Sequence, residues 1–221
     1  MRNGLIPVLL SFLWSVLLAG CSHDPLMTDA DKGDVQAQYT VADKYKKGDG
    51  VDQDYAKALA WYKKAAEQGS TGAQNNIGVM YERGEGVAQD YVEAYNWFKR
   101  AAEMGNVEAQ HNLGDLYCRG HGVPQDYVKA VHWYIQAALQ GDIESQTELS
   151  QIYYEGLGVA QDYKQAYIWS ALAATNNLKE AIKRRDRAAG ILSKEDLLEA
   201  QKQSSIIFEK IKALKQQVPS Q

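Results

Sequence analysis

A 36-residue period dominates this sequence. Glycine recurs at Gly33, Gly69, Gly105 and Gly141, and four segments of equal length begin at these residues, with no insertion or deletion between them. Thirteen of the 36 positions are identical in all four segments. A fixed period of about 20–50 residues is typical of stacked-repeat proteins, in which each unit needs its neighbours to bury its apolar face. We therefore divide the chain into repeats at residues 33–68, 69–104, 105–140 and 141–176.

Capping and turn residues at fixed positions divide each repeat into two helices. We number positions from the first residue of each repeat. Position 2 is Asp, Ser or Asn and position 22 is always Asp, and these short side chains can accept a backbone N–H at a helix N-terminus. Positions 16 and 18 are always glycine, which is unfavourable inside a helix and marks a loop. The pattern predicts a helix, a short Gly-x-Gly-Val loop and a second helix in every repeat, and hence an all-α protein.

The apolar spacing predicts which helix faces are packed. In the first helix of the first repeat, Ala37, Val41 and Tyr45 recur at four-residue spacing, as in one buried stripe of a helix. Position 10 is always small, which lets a neighbouring helix approach closely. Each second helix carries one tryptophan at position 29, and we predict that these are core residues whose loss costs about 3–5 kcal/mol; a ligand-binding platform is the alternative. The tryptophans of the four repeats are Trp61, Trp97, Trp133 and Trp169.

The repeated pattern resembles a known family. Segments such as AQYTVADKYKKGDGVDQDYAKALAWYKKAAEQG and AQNNIGVMYERGEGVAQDYVEAYNWFKRAAEMG are similar to Sel-one-like repeats, which are relatives of the tetratricopeptide repeat. The resemblance covers Gly33 to about Asn176 and implies an α-solenoid, a right-handed superhelix of antiparallel helix pairs. It also implies protein–protein interaction as an adaptor or scaffold, with no shared catalytic site. Some secreted relatives carry a cysteine pair in each repeat and are linked to β-lactam binding; this chain lacks those pairs.

The N-terminal segment has the features of a lipoprotein signal peptide over residues 1–20. A positive residue, Arg2, precedes an apolar run of 14 residues, which is shorter than the roughly 20 residues that a membrane-spanning helix needs. The run ends in Leu-Ala-Gly before Cys21, which resembles the bacterial lipobox and implies cleavage before Cys21 and acylation, including palmitate, of its thiol. An uncleaved anchor and an ordinary secretory signal are the alternatives.

Residues 21–32 then form the lipidated cysteine and a short tether. Several acyl chains bind a bilayer firmly, so we expect a lipid-anchored protein of the bacterial cell envelope. By analogy with enteric bacteria, Ser22 after the acylated cysteine favours the outer membrane, with the repeats facing the periplasm.

Residues 177–221 are predicted to form C-terminal capping helices and a tail, because the Gly-x-Gly-Val loop is absent there. Ser193 is expected to cap a long helix that runs to about Lys215. The predicted packed stripe of that helix is Leu197, Ile207, Ile211 and Leu214. The basic cluster from Lys183 to Arg187 is interpreted as a solvated face of the cap, with a site for phosphate or an acidic partner as the alternative.

The candidate binding surface is the concave face of the solenoid, which the first helices line in solenoids of this type. Positions 7, 11 and 14 share one helical face and vary between repeats, which suits a composite recognition surface for a protein or peptide segment; free drift of exposed positions is the alternative. With a net charge of −4, nothing indicates nucleic acid, and we expect a monomer. The candidate residues are Tyr39, Asp43, Lys46, Asn75, Val79, Glu82, His111, Asp115, Cys118, Thr147, Gln151 and Tyr154.

Chemistry at this face is the weaker hypothesis. His111, Asp115 and Cys118 lie on one predicted helix face and could form a metal site or a Cys–His nucleophile. However, one face supplies two or three ligands, a closed zinc site needs four, and no triad or oxyanion motif accompanies them. We therefore predict no catalytic residues, no cofactor and no metal. The alternatives are a hydrolase acting on cell wall or β-lactams, and a surface-displayed factor for host contact.

Overall fold

The structure is a computed structural model that describes residues 25–217; residues 1–24 and 218–221, and with them the predicted signal peptide and Cys21, lie outside it. The described part contains eleven α-helices and no strand, as the all-α solenoid prediction requires. The helices are α1 (Pro25–Asp31), α2 (Val35–Lys47), α3 (Tyr55–Glu67), α4 (Thr71–Arg83), α5 (Tyr91–Glu103), α6 (Val107–Arg119), α7 (Tyr127–Leu139), α8 (Ile143–Glu155), α9 (Tyr163–Ala174), α10 (Lys179–Ile191) and α11 (Lys194–Gln217). In each repeat the first and second helices pack against each other, and each second helix packs against the first helix of the next repeat.

The invariant Gln-Asp-Tyr motif organises the loop between the two helices. The Asp at position 22 caps the second helix; in the third repeat, the carboxylate of Asp126 accepts the Lys129 backbone N–H at 3.0 Å. The Gln before it caps the first helix, because the Gln125 side chain donates to the Cys118 carbonyl at 2.7 Å and so satisfies one of the free carbonyls at that helix end. The same Gln also contacts the hydroxyl of Tyr127. The motif therefore has a structural role.

Glycine at position 18 permits close contact between repeats. Gly122 has a φ of +71°, and a Cβ placed there would lie 2.3 Å from the carbonyl oxygen of Tyr91, at the start of the previous repeat's second helix. Gly50 has no preceding repeat, and a Cβ there would meet nothing within 4 Å. The loop glycines are therefore required by backbone conformation and, where repeats stack, by the approach of the neighbouring repeat.

The core confirms the first-helix stripe and confirms the tryptophan prediction in part, because all four repeat tryptophans pack against core residues but only one is fully buried. Val41, Ile77, Leu113 and Leu149 are buried. Of the tryptophans, Trp169 is 4 % exposed, whereas Trp61, Trp97 and Trp133 are partly exposed, and cationic side chains lie over the first two rings. The fully buried rings belong to the next residue, position 30. They are Tyr62, Phe98 and Tyr134.

Small residues at position 10 receive these rings, as predicted. A Cβ placed at Gly114 would lie 2.6 Å from Tyr134 Cε1, and one at Gly78 would lie 2.6 Å from the Phe98 ring. The close approach is therefore between the two helices of one repeat.

The two ends of the repeat array differ from prediction in one respect each. Within the predicted tether, Pro25–Asp31 forms helix α1, and its buried Ala30 packs with Ala37 and Val41 of α2. Proline begins this helix, a position where its missing N–H costs nothing. At the other end, Ser193 caps α11 by accepting the Asp196 backbone N–H at 3.1 Å. Ile211 of the predicted stripe is buried, but Leu214 is 49 % exposed.

Among residues 25–217, no helix is both long and apolar enough to span a bilayer.

Candidate functional site

The candidate residues of the sequence analysis form one surface on α2, α4, α6 and α8, which we call the first-helix wall. All twelve are partly exposed and none is fully buried or fully exposed. Each of these side chains can therefore contact its neighbours and still be reached from solvent.

Position 7 connects each repeat to the next. The hydroxyl of Tyr39 accepts from the Asn76 side chain at 3.1 Å, and the side-chain oxygen of Asn75 accepts from Asn112 at 2.9 Å. His111 Nδ1 lies 3.0 Å from the hydroxyl of Ser145. In the fourth repeat, the backbone carbonyl of Thr147 accepts from Arg184 of the cap at 3.3 Å. Variation at position 7 thus serves contacts between repeats.

Position 11 is paired with the buried ring at position 30 of the same repeat. Asp115 accepts a hydrogen bond from the Tyr134 hydroxyl at 2.7 Å, and Asp43 accepts one from Tyr62. Burial, followed by the nearby carboxylate, raises the pKa of Tyr134 far above its usual range, so its hydroxyl stays protonated and donates. In the second repeat the ring is a phenylalanine and position 11 is Val79, which packs against the same core cluster.

Position 14 contributes three titratable groups whose environments disfavour charge. Burial lowers the pKa of Lys46, whose ammonium donates to Asn76 at 3.0 Å. Burial raises the pKa of Glu82, with a further contribution from Asp115 on the next first helix. Burial also raises the pKa of the Cys118 thiol, so the thiol form predominates at neutral pH. Tyr154, in the fourth repeat, instead stacks edge-on against Tyr163, with ring centroids 5.4 Å apart.

A groove of about 410 Å³ lies between α6 and α8. Its polar lining includes His111, Asp115, Arg119, Glu144 and Glu148, and its apolar lining consists of Ile143 and Leu178. His111 is one of its lining residues, with a side chain only 15 % exposed and with carboxylates of Asp115, Asp142 and Glu144 at 3.5–3.6 Å from its ring nitrogens. We call this the His111 groove.

The carboxylates around the His111 groove repel one another. Glu148 is partly buried, and burial together with the neighbouring Asp115 raises its pKa. Arg119 binds Asp115 at 2.7 Å, while Glu144 is 81 % exposed and contacts only the His111 ring among the ion pairs of residues 25–217. The groove therefore presents hydrogen-bond acceptors that the protein itself only partly neutralises.

Two observations describe the groups that chemistry at this face would use. Within the described residues, no group of three or more His, Cys, Asp or Glu side chains is arranged so that it could hold a metal ion. Cys118 is a protonated thiol rather than an activated nucleophile, because burial raises its pKa.

Four contributing residues were missed by the sequence analysis. Position 8 supplies Asn76, Asn112 and Glu148, and the cap supplies Arg184, which donates to Ser150 at 2.8 Å. The Asn at the same position of two successive repeats was the available signal for position 8. Arg184 belongs to the cluster interpreted as solvated, but it is partly buried and closes the wall at its C-terminal end.

These features define an α-solenoid of stacked helix pairs with a polar wall built from successive first helices. The chain belongs to the Sel1 repeat family, because the family model matches residues 35–70, 71–106, 107–142 and 143–178. Sel1 repeat proteins generally mediate protein–protein interactions, and the fold is typically a non-catalytic scaffold.

Two solved structures support the family and its fold. One is c5321, a protective antigen present in uropathogenic Escherichia coli strains that displays an SLR fold; the identity is 32 % and the TM-score 0.75 over 93 % of this chain. This chain spans 46 % of the length of that protein. The other is a Sel1 repeat protein from Oxalobacter formigenes, with 29 % identity and a TM-score of 0.71 over 91 % of this chain and 82 % of that one. No curated protein sequence matches the chain.

Proposed function

We propose that this protein is a non-enzymatic adaptor of the bacterial envelope that binds a segment of another protein in the His111 groove of the first-helix wall. The supporting observation is the groove itself. It combines acceptor carboxylates (Asp115, Glu144 and Glu148) with an apolar rim formed by Ile143 and Leu178. A polypeptide offers both hydrogen-bond donors and apolar side chains, so it can satisfy both parts of this lining.

The charge distribution supports a binding role for the same groove. Burial and the neighbouring Asp115 carboxylate raise the pKa of Glu148, and a partly buried charge of this kind reduces the stability of the free protein. Such unfavourable arrangements are common where a ligand supplies the missing interaction. A donor from the bound segment would offset the repulsion between Asp115 and Glu148.

Membrane attachment through Cys21 is part of the proposal. The lipobox-like sequence supports acylation, and only Ser22, His23 and Asp24 separate Cys21 from helix α1. Four fully extended residue steps span at most about 14 Å, so the repeats of an acylated chain would lie close to the membrane that holds the lipid; by the Ser22 analogy we propose the periplasmic face of the outer membrane. Metabolic labelling with a palmitate analogue tests this: the wild type should be labelled and Cys21→Ser should not, and equal labelling would contradict acylation at Cys21.

The groove is tested by capture of partners with matched variants. Glu144→Lys reverses charge inside the groove, whereas Glu108→Lys makes the same change at the same repeat position of α6, outside the groove lining. Neither side chain makes one of the hydrogen bonds between repeats described above. Tagged full-length protein is purified from detergent-solubilised cells, and circular dichroism verifies equal helicity.

A partner that is enriched with the wild type and Glu108→Lys but lost from Glu144→Lys would support the His111 groove. Equal recovery from all three proteins would contradict it. Turnover of peptidoglycan or a β-lactam by the purified protein, abolished by His111→Ala or Cys118→Ala, would favour the hydrolase alternative and contradict the adaptor.

A second candidate is display on the cell surface for host contact. The observation that favours it is the similarity to a protein described as a protective antigen. Protease treatment of intact cells distinguishes the two locations, because a surface-displayed chain is degraded and a periplasmic one is protected.

A further inference from the structure

Helix α11 covers a surface of the fourth repeat that the other repeats leave open. A Cβ placed at Gly141 would lie 2.6 Å from Lys215 Cε and 2.9 Å from Ile211 Cγ2, both on α11. At the equivalent Gly33, Gly69 and Gly105, a Cβ would meet nothing within 4 Å. The backbone at this turn has similar φ values of +88° to +90° in Gly69, Gly105 and Gly141. The difference is therefore the presence of α11 and not a change in the repeat.

The same five repeat positions form a groove in the third and fourth repeats. In the fourth repeat, positions 1, 6, 32, 35 and 36 lie beside Phe208, Ile211 and Lys215 of α11. In the third repeat they line an open groove of about 650 Å³, which we call the third-repeat groove. Its residues at those positions are Gly105, Gln110, Gln136, Leu139 and Gln140.

Charge distinguishes the third-repeat groove from its counterparts in the first two repeats. Positions 32 and 35 are Lys64 and Glu67 in the first repeat, and Arg100 and Glu103 in the second. In the third and fourth repeats these positions carry no charged residue. At positions 32 and 35 the third-repeat groove is thus uncharged, like the fourth-repeat groove beside α11.

Apolar surface and continuity with α11 add to this argument. Leu139 is 38 % exposed in the groove, and Leu214 of α11, 49 % exposed, lines its edge. A second helix placed in the groove would therefore lie next to α11 and cover both leucines. Glu103 also lines the groove, where its carboxylate could pair with a cation on the incoming helix.

We propose that the third-repeat groove binds an amphipathic helix of a partner protein that resembles α11 in chemistry. In α11, apolar side chains at i and i+3 (Phe208 and Ile211) and a lysine at i+7 (Lys215) line the fourth-repeat groove. An incoming helix with the same spacing places its apolar side chains over Leu139 and its lysine toward Glu103. This mode of recognition, a helix in a groove, is independent of the first-helix wall.

The experiment uses α11 itself as the probe. A fluorescein-labelled synthetic peptide with the sequence of residues 193–217 is titrated with the full chain, and anisotropy measures binding. Leu139→Glu places a charge in the groove. Val128→Glu is the matched control, because Val128 is a 63 % exposed apolar residue on the same helix, outside the groove lining. Saturable binding to the wild type and Val128→Glu, weakened at least tenfold by Leu139→Glu, is expected.

Two results would overturn the proposal. The first is the absence of saturable binding. Binding that Leu139→Glu does not weaken would also overturn it, because the peptide would then have displaced the chain's own α11 from the fourth repeat. The second is a dimer, measured by sedimentation, that Leu139→Glu dissociates, because the occupant would then be a second copy of this chain. Thermal unfolding of each variant verifies that the fold is intact.

Discussion

Asp115 and Tyr134 should be energetically coupled through their hydrogen bond. The second repeat indicates which pair of residues can replace them with little loss of stability. Tyr134 is 1 % exposed and donates to Asp115 at 2.7 Å. The second repeat has Val79 and Phe98 at the same two positions. We therefore predict that Asp115→Val and Tyr134→Phe are each destabilising alone and nearly neutral together.

The magnitudes follow from the burial of each group. Asp115→Val removes the strong acceptor of a buried hydroxyl and leaves it only the weakly accepting Cys118 sulfur, which costs about 2–3 kcal/mol. Tyr134→Phe costs about 1 kcal/mol, because the partly exposed carboxylate regains water. The double variant should lose about 1 kcal/mol or less, since valine and aspartate have similar helix propensities. The coupling energy is then about 2 kcal/mol.

Urea and thermal unfolding of the four proteins provide the measurement. For a chain of this length, about 1 kcal/mol corresponds to a change in Tm of roughly 2–4 °C. Arg119→Ala is the control, because Asp115→Val also removes the exposed pair with Arg119, worth about 0.3–0.5 kcal/mol. This contribution cancels in the coupling energy. Free energies that add to within about 0.5 kcal/mol would refute the coupling.

Three further predictions concern stability and reactivity. Burial and a neighbouring carboxylate raise the pKa of Glu148, so the folded state binds more protons than the unfolded state and loses stability as the pH rises above about 4.3. Glu148→Gln should therefore be more stable than the wild type at pH 7, by up to about 1 kcal/mol. Urea unfolding at pH 4 should show no such gain. Gly122→Ala should lose at least about 3 kcal/mol and Gly50→Ala only about 1–2 kcal/mol, because both have positive φ but only the former meets a neighbouring backbone; equal losses by thermal unfolding would show that contact between repeats is irrelevant there. In a Cys21→Ser variant, burial should make the Cys118 thiol react with an aromatic disulfide at least tenfold more slowly at pH 8 than in the urea-unfolded chain, and comparable rates would contradict the raised pKa.

The sequence was sufficient for the features that each repeat contains in full. Helix caps, loop glycines and the first-helix stripe recur at fixed positions, and each depends on backbone geometry within a few residues. The buried ring was harder to predict, because tryptophan and its neighbour at position 30 are both aromatic in three repeats. A helical period cannot by itself decide which of two adjacent residues faces the core. The structure decides it through the small residue at position 10, which receives the ring at Phe98 or Tyr134.

Of the features that escaped prediction, two lie outside the repeats and one joins two positions within a repeat. Helix α1 and the position of α11 are outside the repeats, so comparison of repeats contains no information about them. Leu214 was expected in the packed stripe of α11, but the helix crosses the repeats so that Leu214 reaches the edge of the third-repeat groove instead. The pairing of position 11 with position 30 joins residues across a loop. In the sequence it is visible only when the aspartate and tyrosine of the first and third repeats are compared with the valine and phenylalanine of the second.

Variation between repeats therefore has two sources in this protein, and they can be separated. Tyr39, Asn75 and His111 differ because each must match a residue of the next first helix, and Asp115 and Val79 differ because each must match a buried ring. Such variation is explained by contacts inside the protein, even where the residue also lines the His111 groove, so it is not by itself a sign of a partner. The side chains that vary without a strong partner inside the protein are the candidates for recognition. By this criterion Glu82, Glu144 and Glu148 become the principal candidates, two of which were not in the original set, and replacing them should alter binding while leaving the helix array intact.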